Sequence, residues 1–117
     1  MVETLHTVVE MGTFLKRAAA LWDHDERSEF IDFIAANPKA GVEIQGAKGL
    51  RKIRWSRAGM GKRGGTRVIY YYHNETAPVF LLAVYAKNEK GDLSPQEKMA
   101  FRKVTEIIRA RIQGDKS

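Results

Sequence analysis

The chain has 117 residues, enough for one domain spanning 1–117 with a single modest core. It carries no cysteine, which excludes a disulfide scaffold, thiolate zinc, an iron–sulfur cluster and a cysteine nucleophile, and fits a reducing cytoplasm. The net charge is +6, no apolar run approaches the roughly 18 residues of a membrane span, and the opening MVETLHTVVEMG places acids where a signal peptide needs cations, so a soluble, cytoplasmic protein is expected.

Leu5–Met11 is short, rich in β-branched residues and bounded by Gly12, which predicts a strand. Phe14, Ala18 and Leu21 fall at helical spacing over 13–22, with Thr13 as N-cap. Asp23 and Glu26 form a capping-box pair that opens a second helix over 25–36. Phe30, Phe33 and Ile34 share one stripe of it, and Asn37-Pro38 ends it. Residues 39–49 hold three glycines and predict a loop with room for a short extended piece. Leu50–Trp55 alternates as a strand, Ser56–Gly65 is a basic, glycine-rich loop, and Thr66–His73 carries the strongest strand signal. After a turn at 74–78, Val79–Ala86 is apolar throughout, which predicts a strand buried on both faces. Ser94, Pro95 and Glu97 mark the start of a last helix that runs to about Ile112. Its stripe is Phe101, Val104, Ile108 and Ile112, with Ile107 beside it. The class is α+β: an N-terminal strand and helical hairpin, then a three-strand antiparallel meander and a C-terminal helix, with the helices on one face of the sheet.

Charge is unevenly placed along this order. Residues 1–43 hold four Lys/Arg and eight Asp/Glu, whereas 44–74 hold eight Lys/Arg (Lys48, Arg51, Lys52, Arg54, Arg57, Lys62, Arg63, Arg67) and no acid. Such a run concentrates positive potential and suits a polyanion, most often nucleic acid. The plain alternative is a solvated basic face.

The two hairpins of the meander set an expected register. Centring the last turn near Thr76 puts Arg67 opposite Tyr85 and His73 opposite Val79. Centring the earlier loop between Met60 and Gly61 puts Arg54 opposite Arg67 and Lys52 opposite Ile69. Directly opposite residues share a face, with Cβ atoms about 4.5–5.5 Å apart. Arg54, Arg67 and Tyr85 then form a row across three strands, Lys52 lies one pleat step away, and Lys87 sits at the end of the last strand. Like charges opposite one another destabilise a sheet, and no acid of the central segment offsets them. Stability alone would not select this pairing. The alternative is that the arginines splay into solvent and only their stems cover apolar surface.

Cleaving RNA requires deprotonation of a 2′-OH, stabilisation of the phosphorane's charge and protonation of the 5′-oxygen. Guanidinium and ammonium groups supply the second without a metal, and Lys52 or Tyr85 would move the protons. No cofactor is expected. Metal-assisted cleavage is disfavoured by the lack of a carboxylate near the cluster and of a His pair at ligand spacing. His6 and His24 read as structural or solvated, and His73 falls about 20 Å from Arg67 at about 3.3 Å per residue. Lys48, Arg51, Arg57, Lys62 and Arg63 would hold nucleic-acid backbone. Tyr71 shares the face of Arg67 and is a candidate to stack a base, with core packing as the alternative. Tyr70 and Tyr72 are expected to pack under the helices.

The runs GLRKIRW, GKRGGTRVIYYY and LLAVYAKNEKGDLSPQEK, with TVVEMGTFLKRAAALW before them, resemble the RelE/ParE superfamily of bacterial toxins, in the HigB-like branch of its RelE side. The resemblance implies a RelE-like fold and the toxin of a type II toxin–antitoxin module. RelE-type members cleave mRNA in the ribosomal A site without a metal, whereas ParE-type members inhibit DNA gyrase. Lys52 and Arg54 match the family's basic pair after the helical hairpin, and Arg67 matches the arginine opening the central strand. Lys87 falls in the basic motif at the end of the last strand, with Asn88 where several relatives carry a second cation. Some relatives use a C-terminal tyrosine for proton transfer. Residues 89–117 contain neither Tyr nor His, which leaves Tyr85 or Lys52 as substitutes.

The expected function is therefore a metal-independent, ribosome-dependent mRNA endoribonuclease that inhibits translation. Its catalytic residues would be Lys52, Arg54, Arg67, Tyr85 and Lys87. The alternative is a ParE-like gyrase inhibitor or a non-catalytic nucleic-acid-binding protein. Either way a cognate antitoxin is implied, a small helix-turn-helix protein by expectation, and the acidic 23–32 segment is a candidate docking surface.

Overall fold

The computed structural model describes residues 5–56, 65–86, 89 and 92–114. In chain order the elements are β1 (Val8–Glu10), α1 (Gly12–Leu21), α2 (His24–Ala36), β2 (Val42–Glu43), β3 (Leu50–Trp55), β4 (Thr66–Tyr71), β5 (Val79–Ala86) and α3 (Pro95–Gly114). The five strands form one sheet in the order β1-β5-β4-β3-β2. The β3–β4–β5 meander is antiparallel as expected, and β1 closes one edge by pairing parallel with β5. The extended piece foreseen in the 39–49 loop is β2, which pairs Val42 with Lys52 and Glu43 with Arg51. No helix among the described residues is long and apolar enough to cross a membrane.

Local chemistry accounts for two of the three helix starts. The Asp23–Glu26 capping box is formed in both directions: the Glu26 amide donates to Asp23 Oδ1 at 2.8 Å and the Asp23 amide to Glu26 Oε1 at 3.2 Å. A second box starts α3, between Ser94 and Glu97. Thr13, expected as the cap of α1, is instead within that helix, and its hydroxyl donates to the Leu82 carbonyl at 2.6 Å. The cap position falls to Met11, with no side-chain bond.

The helices do not share one face. Phe14, Ala18 and Trp22 of the α1 segment and Phe30 and Ile34 of α2 pack with Val68, Tyr70, Val79, Leu81 and Val84 on one side of the sheet. On the other side, Ile108 of α3 packs with Leu50, Ile69, Tyr71, Leu82 and Tyr85, flanked by Phe101, Val104 and Ile112. The expectation of one helical layer is therefore corrected to two. An amphipathic stripe shows that a helix is buried, and it does not show against which face. Ile107 lies off the stripe and is 63% exposed.

A β-bulge lets β5 serve both layers. The expected pairing holds from Arg67–Tyr85 to Ile69–Ala83, then slips by one to Tyr70–Leu81 and Tyr71–Phe80, leaving Leu82 as the extra residue. The ladder ends at Tyr71, so the expected His73–Val79 pair does not form. Tyr70 and Tyr72 lie on the α1–α2 side, as expected. The Tyr70 hydroxyl donates to the Pro38 carbonyl and accepts from the Gly41 amide, each at 2.8 Å. A Cβ at Gly41 would sit 2.7 Å from that hydroxyl, so this approach requires glycine.

Candidate functional site: a cationic row at the start of the third helix

The β3–β4 and β4–β5 ladders pair Arg54 with Arg67, Arg67 with Tyr85 and Lys52 with Ile69. All of these lie on the face that α3 covers, since Ile69 and Tyr85 belong to its core. Helix α3 shields only part of this face. Lys52 and Arg67 keep 29% and 18% of their side-chain surface exposed, and Arg54 is exposed. Tyr85 is 5% exposed and belongs to the α3-side core, in the row beside Arg67.

The cluster contains a carboxylate, which corrects the expectation of an acid-free site. Asp92, two residues before the Ser94 cap, accepts from Lys52 Nζ at 2.7 Å and lies 3.7 Å from Arg67 Nη1, both through Oδ1. The hydrogen bond and charge of Lys52, with Arg67 and Lys98 nearby, hold the Asp92 carboxyl below its ordinary range. At 3.7 Å the Arg67 contact is an ion pair without a hydrogen bond. Among the described residues the buried Nε of Arg67 has no hydrogen-bond partner. Arg67 is thus under-satisfied by these neighbours. A cavity of about 260 Å³ adjoins the cluster, lined by Lys52, Asp92, Leu93 and Lys98 on one side and residues 42–45 on the other.

Other expected contact residues fall elsewhere. Arg51 alternates to the opposite face, where Nη1 donates to the Gly41 and Lys39 carbonyls at 2.6 and 3.2 Å and the guanidinium stacks over Tyr72. It fastens the 39–41 segment, and this corrects its expected role as a backbone clamp. Tyr71 is 1% exposed, so no base can stack on it. Its hydroxyl lies 3.0 Å from His73 Nδ1 and accepts from Arg109 Nε at 3.2 Å. Lys48 is exposed at this same far end of the sheet, where its carbonyl accepts from Arg109 Nη2. Lys87, Arg57, Lys62, Arg63 and Asn88 lie outside the described residues. Asp92 is not legible as a site neighbour in the sequence. Asp92 was visible only as a residue ahead of a helix cap, and the strand-to-helix connection that returns it to β3 left no periodic signal.

The row can place two positive groups on an anion and position a third beside it. Among the described residues no three His, Asp or Glu side chains gather to hold a metal ion.

A family model described as the RelE toxin of the RelE/RelB toxin–antitoxin system matches residues 14–115. Among solved structures, the chain is similar to the E. coli toxin RelE, a mutant in the free state, with a TM-score of 0.53 and 16% identity over 74% of this chain and 87% of that one. At that identity the likeness is one of fold, and it reproduces the mixed sheet-and-helix architecture. The match from the first turn of α1 to the residue after α3 carries the assignment: this chain belongs to the RelE family of toxin–antitoxin toxins.

Proposed function

We propose that this protein is a ribosome-dependent mRNA endoribonuclease, held in check by a cognate antitoxin, a small helix-turn-helix protein. The observation that carries the reading is the direct opposition of Arg54 and Arg67 with Lys52 on the same face. That pairing costs stability, so it answers to a ligand that neutralises it. A scissile phosphodiester does so: its non-bridging oxygens accept from Arg67 and Arg54, which also stabilise the charge of the phosphorane.

In this chemistry the 2′-oxygen loses its proton and attacks phosphorus, and the P–O5′ bond breaks as the 5′-oxygen takes up a proton. The products are a 2′,3′-cyclic phosphate and a 5′-hydroxyl, so no water and no metal enter the cleavage step. Lys52, with its Nζ at the surface of the cluster, is the better placed proton carrier. Tyr85 is enclosed next to Arg67 in the row, with little surface from which to exchange a proton. Lys87 belongs to the same proposal through the family motif. The acidic face of α2, with Asp25, Glu29 and Asp32 exposed, suits a basic antitoxin segment.

Inducing wild type and Arg67→Ala in cells lacking the antitoxin, and mapping transcript 5′ ends, tests the assignment. New 5′-hydroxyl ends and growth arrest with wild type alone are expected. Equal arrest by both variants would remove Arg67 from the mechanism. A DNA-damage response with intact transcripts would assign gyrase inhibition instead.

A further inference from the structure

The Asp92 carboxylate sits where a substrate phosphate would have to bind, between Lys52 Nζ and Arg67 Nη1. We infer that Asp92 is an internal occupant of the phosphate position, so that RNA enters the site by displacing it and weakly held RNA is turned away; this rests on the RNA-cleaving reading of the row.

Three features support displacement over a fixed structural role. First, the fit is incomplete. One oxygen, Oδ1, serves both cations, its distance to Arg67 exceeds a hydrogen bond, and Arg67 Nε is buried without a partner among the described residues. A phosphodiester offers two non-bridging oxygens on one tetrahedral centre and so has an acceptor for each cation. Second, Asp92 can leave without unfolding anything. Its side chain is 83% exposed, and it lies outside α3. The start of that helix is secured by the Ser94–Glu97 box, and the preceding residue, Leu93, is packed against the α3-side core. Third, the occupant is charged at neutral pH as any ordinary aspartate is, and the neighbouring cations hold its carboxyl lower still. It therefore competes with phosphate over the whole physiological range.

The consequence is selectivity by anchoring. A short free RNA must displace Asp92 with little else to hold it. A messenger fixed on the ribosome has its phosphate presented at high effective concentration and meets the same competitor at a smaller relative cost. Asp92 is in this sense a specificity-determining residue.

The test is equilibrium binding of a short, uncleavable 2′-O-methyl RNA to the full chain, comparing wild type, Asp92→Asn and Glu106→Gln. The last removes an equal charge about three turns along α3. Asp92→Asn is expected to bind roughly three- to ten-fold more tightly, with Glu106→Gln within about twofold of wild type. Binding by Asp92→Asn that is weaker, or no tighter than by Glu106→Gln, overturns the inference and makes Asp92 a residue that positions Lys52. Circular dichroism on each variant confirms that all are folded. Transcript mapping separates the two readings. Tighter binding by Asp92→Asn from a chain that cuts no RNA leaves the occupant in place and removes the nuclease. Cut transcripts with unchanged binding remove the occupant alone.

Discussion

Arg54 and Arg67 stand directly opposite each other in the β3–β4 ladder, and the Asp92 carboxylate approaches Arg67 alone of the two. Opposed like charges on neighbouring strands destabilise a sheet by roughly 0.2–1 kcal/mol relative to a neutral pair. Replacing exposed Arg54 with threonine removes the repulsion and adds a good strand former. The expected outcome in thermal denaturation is a small rise in Tm with loss of RNA binding. A fall in Tm would show that the arginine stem contributes more by packing than its charge takes away.

If phosphate contacts dominate, RNA affinity falls steeply as salt rises. Lys52→Ala and Arg54→Ala should each reduce the slope of log K against log salt by about 0.7, the value for one single-strand phosphate contact. Fluorescence anisotropy between low and physiological salt reads this directly. Arg51→Ala should leave the slope unchanged, because its guanidinium is spent on the Lys39 and Gly41 carbonyls.

The Asp92 ion pair makes stability depend on pH in one direction. A carboxyl whose pKa is lower in the folded than in the unfolded chain adds stability above its unfolded value and loses it as pH falls through the folded one. The Asp92 carboxyl is lowered, by Lys52 first and then by Arg67 and Lys98, from an ordinary value of 3.8. Urea midpoints of wild type should therefore exceed those of Asp92→Asn at neutral pH, and the gap should close as pH drops below the ordinary carboxylate range. A gap that persists in strong acid would point to packing.

Tyr70 is the buried polar anchor of the 38–41 segment. Tyr70→Phe leaves the Gly41 amide and the Pro38 carbonyl without their partner and should cost about 1–3 kcal/mol in denaturant unfolding. Burial also pushes the phenol pKa up, so ultraviolet titration should show this tyrosine ionising later than a free one.

The register of the cationic row was legible because two loop midpoints and a period of two determine which residues face each other. The capping boxes at Asp23 and Ser94 were legible because they are short-range. What escaped the sequence depends on long-range geometry. The uniform apolarity of VFLLAVYA concealed the bulge at Leu82, since alternation is what would have exposed a skipped residue. The stripe of α3 was visible, but not the face that receives it. Window-by-window charge counting placed Asp92 outside the basic segment, although the chain returns it to Lys52 across 40 positions. Arg51 and Tyr71 were misplaced for a related reason: residue type predicted an RNA contact, whereas neighbours from other elements had already occupied them.

Leu82 gives β5 one residue more than its partner strand requires, and the Thr13 hydroxyl holds the carbonyl at that point. A regular ladder that kept Leu82 in the pleat would rotate Val79, Phe80 and Leu81 by half a turn about the strand axis. Val79 and Leu81 would then point at α3, and Phe80 at α1. The sheet would keep its hydrogen bonds while each helix met the wrong side chains, so this one bulge keeps the two layers apart.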